Sequence, residues 1–138
     1  MNGFVVDCSV TMAWCFGDQA DGYTYSVLDA LRTSRAVVPS IWPLEVANAL
    51  VVAERRKKLL ATHTAEFLAF LEQLPVQLDP DTSHQALGPI LALAREHRLS
   101  AYDAAYLELA KRRGLPLATR DKGLQRAARA AAVSLLSP

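Results

Sequence analysis

An α/β fold built on a central parallel sheet is predicted by three features of this chain. Short β-branched runs alternate with longer stretches of helical periodicity, the pattern of right-handed βαβ crossovers with helices on both faces of a sheet. The runs Phe4-Val5-Val6 and Ala36-Val37-Val38 are apolar throughout, as strands covered on both sides are. The 138 residues, with no repeat or low-complexity linker, suffice for one core and a single domain, residues 1–138. The expectation is a three-layer α/β/α sandwich with about four or five parallel strands.

The first strand is expected over Phe4–Asp7, with a short helix over Ser9–Phe16 directly after it. Tyr25, Leu28 and Leu31 or Arg32 recur at helical spacing and predict a helix over Asp21–Ser34. Ala36–Val38 is a second strand, stopped by Pro39. Ser40 is the candidate cap of a helix over Trp42–Lys58 that admits Pro43 in its first turn. Thr62 or Thr64 opens the next helix, Thr62–Leu74, whose apolar stripe is Phe67, Leu68, Leu71 and Leu74. Pro75–Leu78 is a short strand, and Thr82–Arg98 is a helix kinked at Gly88-Pro89. Ser100–Arg113 is a helix ended by Gly114 in the expected left-handed position. A strand over Leu117–Thr119, a helix over Lys122–Ala131 and a last strand over Val133–Leu136 complete the order.

The net charge of +1 conceals an asymmetry. Residues 1–54 carry six acids and two bases, and residues 55–138 carry thirteen bases and eight acids, −4 against +5. Such a division points to a polyanion-binding surface beside an acidic site, or simply to solvated helix faces. No signal peptide is visible and no apolar stretch approaches the length of a membrane span. Cys8 and Cys15 have no metal-binding spacing and no nearby histidine; they read as small buried hydrophobes in a reducing cytoplasm. His63, His84 and His97 lie in separate polar helical contexts and read as surface residues.

Four carboxylates are the informative residues. Asp7 ends an apolar strand, Glu45 opens the stretch Leu44–Ala53, Asp103 lies within Ala101–Leu107, and Asp121 follows the run Leu115–Thr119. A buried carboxylate is costly unless it is paired or holds a metal. Asp7 and Asp121 follow strands and so fall on the sheet edge where ligands of parallel sheets bind. Glu45 and Asp103 lie near helix starts, which face that same edge. Each also has a purely structural reading: Asp7 or Ser9 as a helix cap, Asp103 in the capping box begun by Ser100, and Asp121 or Thr119 as the cap of the last helix. Glu45 resists that reading most, because it shares only with Asn48 a helix that is otherwise apolar and therefore expected to be buried. Together, four carboxylates at one edge would repel each other by several kcal/mol at an effective dielectric of ~20. Oxygen donors of this kind suit Mg²⁺ or Mn²⁺.

The ordered motifs Asp7-Cys8-Ser9-Val10 with Trp14, Pro43–Leu50 around Glu45, Tyr102–Ala110 around Asp103 and Thr119–Leu124 around Asp121 resemble those of PIN-domain ribonucleases. The size of the chain is similar to that of the VapC toxins of toxin–antitoxin pairs. The resemblance implies a PIN-like sheet of strand order 3-2-1-4-5 and an acidic quartet of Asp7, Glu45, Asp103 and Asp121 that binds Mg²⁺ or Mn²⁺. It further implies Ser9 and Thr119 as polar supports, RNA as substrate, a VapB-like antitoxin as partner and a homodimer. Cys8 departs from the small or hydroxylated residues usual at its position.

On this reading Asn48, with Ser9 and Thr119, orients the carboxylates. Arg120 and Lys122, which flank Asp121, grip RNA. The run Arg55–Lys58 is either a second grip or a helix C-terminal charge cluster, and Trp42 either stacks a base or packs in a core or dimer interface. The competing readings are a phosphatase using Asp7 as nucleophile, disfavoured by Ser9 where a second acid is needed, and a non-catalytic RNA- or protein-binding module.

Overall fold

The computed structural model describes residues 3–138. Four short strands, β1 (Phe4–Val6), β2 (Ala36–Val38), β3 (Val76–Leu78) and β4 (Leu117–Ala118), form one parallel sheet of order β3-β2-β1-β4. The chain winds outward through β1, β2 and β3, then returns to lay β4 on the other side of β1. The strand order therefore reverses between β1 and β4, the place where parallel α/β sheets open a crevice beyond their carboxyl ends.

Helices α1 (Cys8–Cys15) and α2 (Gly22–Ala30) connect β1 to β2, and α3 (Trp42–Arg55) and α4 (Ala61–Glu72) connect β2 to β3. The return crossover holds α5 (Thr82–Gln85), a π-helical segment (Ala86–Ile90), α6 (Leu91–His97) and α7 (Ala101–Arg113). Helix α8 (Lys122–Ala130) follows β4. The expected break at Gly88-Pro89 is thus a widened turn: Pro89 has no N–H to donate, and the helix continues by changing register. The expected last strand is reduced to a single parallel bridge between Leu117 and Leu135, with hydrogen bonds from Leu117 N–H to Ser134 O and from Leu136 N–H to Leu117 O.

The core is built around the sheet and α7, and Val10, Val27, Val46 and Leu50 of α1, α2 and α3 belong to the same buried cluster. Phe4, Val5, Val6, Val37, Val38 and Leu117 are buried, and so is every residue of α7 from Ala104 to Ala110. Glu108 tolerates that burial because Arg112 donates to it from Nε at 2.7 Å. The same guanidinium donates to the fully buried Asp79 at 3.1 and 2.7 Å, and Arg113 adds a third bond at 2.8 Å, so the end of α7 is fastened to the chain after β3. Gly114, at φ 65, then stops the helix as its sequence position predicts.

Helix α3 is not the helix buried all round. Val46, Leu50 and Ala53 face the core, but Leu44 is 67% and Val51 42% exposed, and Ala47 and Asn48 also face outward. Trp42 is buried and donates from Nε1 to Thr11 Oγ1 at 3.0 Å, so it packs in the core. Neither Ser40 nor a threonine caps the helices expected of them. Ile41 precedes α3 without a side-chain cap, and Ser40 instead donates its N–H to Thr82 Oγ1 at 2.9 Å. Leu60 precedes α4, and Thr64 donates to Glu54 Oε2 at 2.6 Å. His97 is largely buried rather than on the surface, its side chain 12% exposed.

Candidate active site

Asp7 leaves β1 in an extended conformation and caps α1, its Oδ1 accepting the Val10 N–H at 3.1 Å. Ser9 Oγ donates to the same oxygen at 2.6 Å, and Thr119 Oγ1 donates to Oδ2. A carboxylate can accept about four hydrogen bonds, so three donors leave one lone pair free, on Oδ2. Asp7 is only 2% exposed. Burial outweighs these bonds and pushes its pKa up from 3.8 to about 6, with the charge of Asp103 adding to the rise.

The two hydroxyls that hold Asp7 also hold the turn after β4. Arg120 N–H donates to Ser9 Oγ at 3.2 Å and Asp121 N–H to Thr119 Oγ1 at 3.0 Å. Asp121 caps α8, Oδ2 accepting the Leu124 N–H at 2.7 Å and leaving Oδ1 without a hydrogen bond among the described residues. The cap readings of Asp7 and Asp121 are therefore correct as far as they go: each spends one oxygen on a helix and keeps acceptor capacity on the other.

Glu45 reaches the same edge from the first turn of α3. The hydroxyl of Tyr106 donates to its Oε1 at 2.6 Å. Asp103 stands one turn before Tyr106 on α7, its own N–H capped by Ser100 Oγ at 3.0 Å. Burial raises the pKa of Glu45 and Asp103 alike. Asp103 also adds to the rise of Asp7 and Glu45, and Asp121 adds to that of Asp103, so Asp103 is the carboxylate with a charge coupling to each of the others. Cys8 lies among them: burial first, then the charges of Glu45, Asp7 and Asp103, push its thiol up to about 12. It is accordingly a protonated, unreactive thiol.

Asp7, Glu45, Asp103, Asp121, Ser9 and Thr119 thus come together, whereas Asn48 does not. Its expected inward pairing with Glu45 is absent; Asn48 is exposed, because α3 turns that face to solvent. Arg120 has its guanidinium engaged: Nη1 donates to Gln19 O at 2.5 Å and Nη2 lies 3.1 Å from Asp21 Oδ2. Lys122 is exposed and makes no ion pair among the described residues. Two participants are absent from the sequence reading. Tyr106 was legible as the residue three after Asp103 on one helix face. Arg126 folds back over Gly123, where an added Cβ would fall 3.4 Å from Asp121 Oδ2 and 3.9 Å from Arg126 Nη2.

The donor set fits a hard divalent cation. It is all carboxylate oxygen, its members raise one another's pKa, and each of Asp7, Glu45 and Asp121 retains acceptor capacity. Among the described residues no three His, Cys, Asp or Glu side chains stand close enough together to hold an ion directly. Direct ligation by at most two, with water carrying the others' influence, is the mode these positions allow.

Residues 4–130 match the PIN domain family. No curated protein matches the chain. Solved structures of similar fold include PAE2754 from Pyrobaculum aerophilum, 23% identical, covering 91% of this chain and 86% of that one with a TM-score of 0.65. FitAcB from Neisseria gonorrhoeae is 20% identical, covering 98% and 97% with a TM-score of 0.64. VapBC2 from Rickettsia felis, bound to a DNA fragment from their promoter, is 13% identical, covering 97% of each chain with a TM-score of 0.67.

Proposed function

Since the chain belongs to the PIN domain family, whose members are generally nucleases, we propose that it is a metal-dependent endoribonuclease and the toxin of a type II toxin–antitoxin module. The observation that carries the reading is Asp7: buried at the carboxyl end of an inner strand, held by Ser9 and Thr119, raised in pKa, and paired with no cation among the described residues.

Asp7, Asp103 and Asp121 would hold Mg²⁺ or Mn²⁺, no more than two of them directly and the remainder through water, with Glu45 positioning the ion or its water. When bound, such an ion makes hydroxide available near neutral pH and neutralises charge on the scissile phosphate. The chain supplies the orientation. Ser9 and Thr119 fix both oxygens of Asp7, and Tyr106 fixes one oxygen of Glu45. Glu45, Asp103 or Asp121 is then placed to draw a proton from the attacking water. Attack by water leaves 5′-phosphate and 3′-hydroxyl ends. Lys122 and Arg126, exposed beside Asp121, are the cations on offer to the RNA backbone, and Arg120 is a loop clamp rather than an RNA contact.

A VapB-like antitoxin would place an Arg or Lys against Asp7, Asp103 or Asp121, supplying the charge the cluster lacks. The exposed apolar strip of α3 and α4, including Leu44, Val51 and Leu68, is a surface for a protein partner, whether antitoxin or second copy.

The test is expression of the protein followed by sequencing of 5′-phosphate RNA ends, with Asp7→Asn alongside. New ends that depend on Asp7, relieved by co-expression of the neighbouring gene's product, support the toxin reading. No new ends and normal growth would favour a binding module.

A further inference from the structure

The face of α3 that carries Glu45 continues through Asn48, Val52 and Arg56, spaced three and four residues apart. At about 1.5 Å per residue this stripe runs roughly 16 Å from the acidic site to the end of the helix. Its downstream part forms one wall of a groove of about 670 Å³. The other wall is Phe16, at the end of α1, and Gln19 in the loop that follows; Lys58 closes the far end.

Gln19 is held by its backbone alone. Its carbonyl accepts from Arg120 Nη1 at 2.5 Å, and its N–H donates to Phe16 O at 2.9 Å. Arg120 in turn donates its N–H to Ser9 Oγ, and Ser9 donates to Asp7. The loop therefore hangs from the network that orients Asp7. Among the described residues no hydrogen bond uses the side-chain amide of Gln19 or Asn48, and neither Arg56 nor Lys58 makes an ion pair. Two unpaired amides, an aromatic ring, an apolar floor and two free cations thus line one groove, which begins one turn from Glu45 at Asn48 and ends at Arg56 and Lys58.

We infer that this groove is a nucleobase subsite, reading one unstacked base of the RNA strand beside the bond cleaved at the acidic cluster; the inference rests on the nuclease reading. A carboxamide offers the adjacent donor and acceptor that a base edge matches, Phe16 offers a ring face, and Arg56 with Lys58 offers charge to the attached phosphate. A docked protein helix would want a continuous apolar surface, which this molecule presents on the other side of α3.

The experiment uses an RNA pool randomised around one cleavable position, incubated with full-length wild type, Asn48→Ala or Gln19→Ala in Mg²⁺ or Mn²⁺, and sequenced at its 5′-phosphate ends. Wild type should favour one base at a single position near the cut, and each variant should reduce that preference about tenfold at that position only. In parallel, binding of the favoured and a disfavoured short RNA to Asp7→Asn protein is measured by fluorescence anisotropy. Adding Asn48→Ala should weaken the favoured RNA alone. An unchanged base profile in both variants, or cleavage by wild type without base preference, overturns the subsite and leaves the nuclease reading standing. Loss of antitoxin affinity with base preference intact assigns the groove to a protein and overturns it too. No cleavage and no binding of any RNA by wild type removes both readings.

Discussion

Tyr106 and Glu45 meet across two helices, the hydroxyl of a buried tyrosine donating at 2.6 Å to Oε1 of a half-buried glutamate. The bond opposes the effect of burial on Glu45, while the glutamate's charge raises the pKa of Tyr106 further. Tyr106→Phe keeps the packed ring and deletes the bond. We expect a loss of about 1–2 kcal/mol in urea unfolding and a fall in RNA cleavage of roughly tenfold as Glu45 loses its fixed orientation. A double-mutant cycle with Glu45→Gln should show coupling; strictly additive effects would mean that the two side chains act independently.

Asp7 makes stability depend on pH in an unusual direction. Folding raises its pKa from 3.8 to about 6, so the folded state prefers the protonated acid. That preference is fully present below pH 3.8 and is lost as pH rises through about 6, at a cost on the order of 3 kcal/mol. Asparagine is nearly isosteric and caps helices as well as aspartate. In chelator, Asp7→Asn should be more stable than wild type at pH 7.5 and lose that advantage by pH 4, while cleaving no RNA at either pH. Equal stability of the two proteins at pH 7.5 would contradict the burial argument.

Divalent metal should stabilise the folded protein, because it relieves repulsion that exists only when the carboxylates are brought together. At ~100 times the dissociation constant the gain is roughly 2.7 kcal/mol, several degrees in a thermal melt. Asp103→Asn should remove most of the gain, since Asp103 is the acid coupled to the other three. A shift that survives Asp103→Asn would place the ion elsewhere.

Arg112 joins Asp79 and Glu108, both almost without solvent contact. Arg112→Met removes the charge and keeps much of the stem, leaving Glu108 buried and unpaired and Asp79 with Arg113 alone. The expected cost is about 3 kcal/mol, toward the lower end for a broken buried pair because one partner remains. Chemical denaturation measures it. A cost below 1 kcal/mol would show that Glu108 finds water or protonates.

The alternation of runs and helices was sufficient for the parallel sheet, because strands as apolar as Phe4–Val6 have few other places to go. The acids were legible for the same reason: Asp7 and Asp121 sit at strand ends whose direction the alternation already implies. Pattern failed where burial depends on partners distant in sequence. Helix α3 looks more apolar than α7, yet Leu44 and Val51 face solvent, while Glu108 is buried because Arg112 neutralises it. Asn48 was misplaced with α3, since its expected role assumed an inward face. The loop contacts of Arg120 were not legible because its partners, Gln19 and Asp21, lie about a hundred positions away and come close only through the fold. The last strand shrank to one bridge at Leu135 because Leu117 supplies both of its hydrogen bonds.

The π-helical turn at Ala86–Ile90 carries a genealogical message. Such a turn holds one residue more than an α-turn, so everything after it is rotated by about 100° relative to an unbroken helix. That rotation is why Ile90 and Leu93 are buried while Pro89 and Ala92 face out. Excising Pro89, the residue an ordinary α-turn does not accommodate, would let an α-helix present the same side chains to the core. The segment is therefore where a single-codon insertion or deletion passes almost silently, and sequences descended from a common ancestor should differ in length there by one.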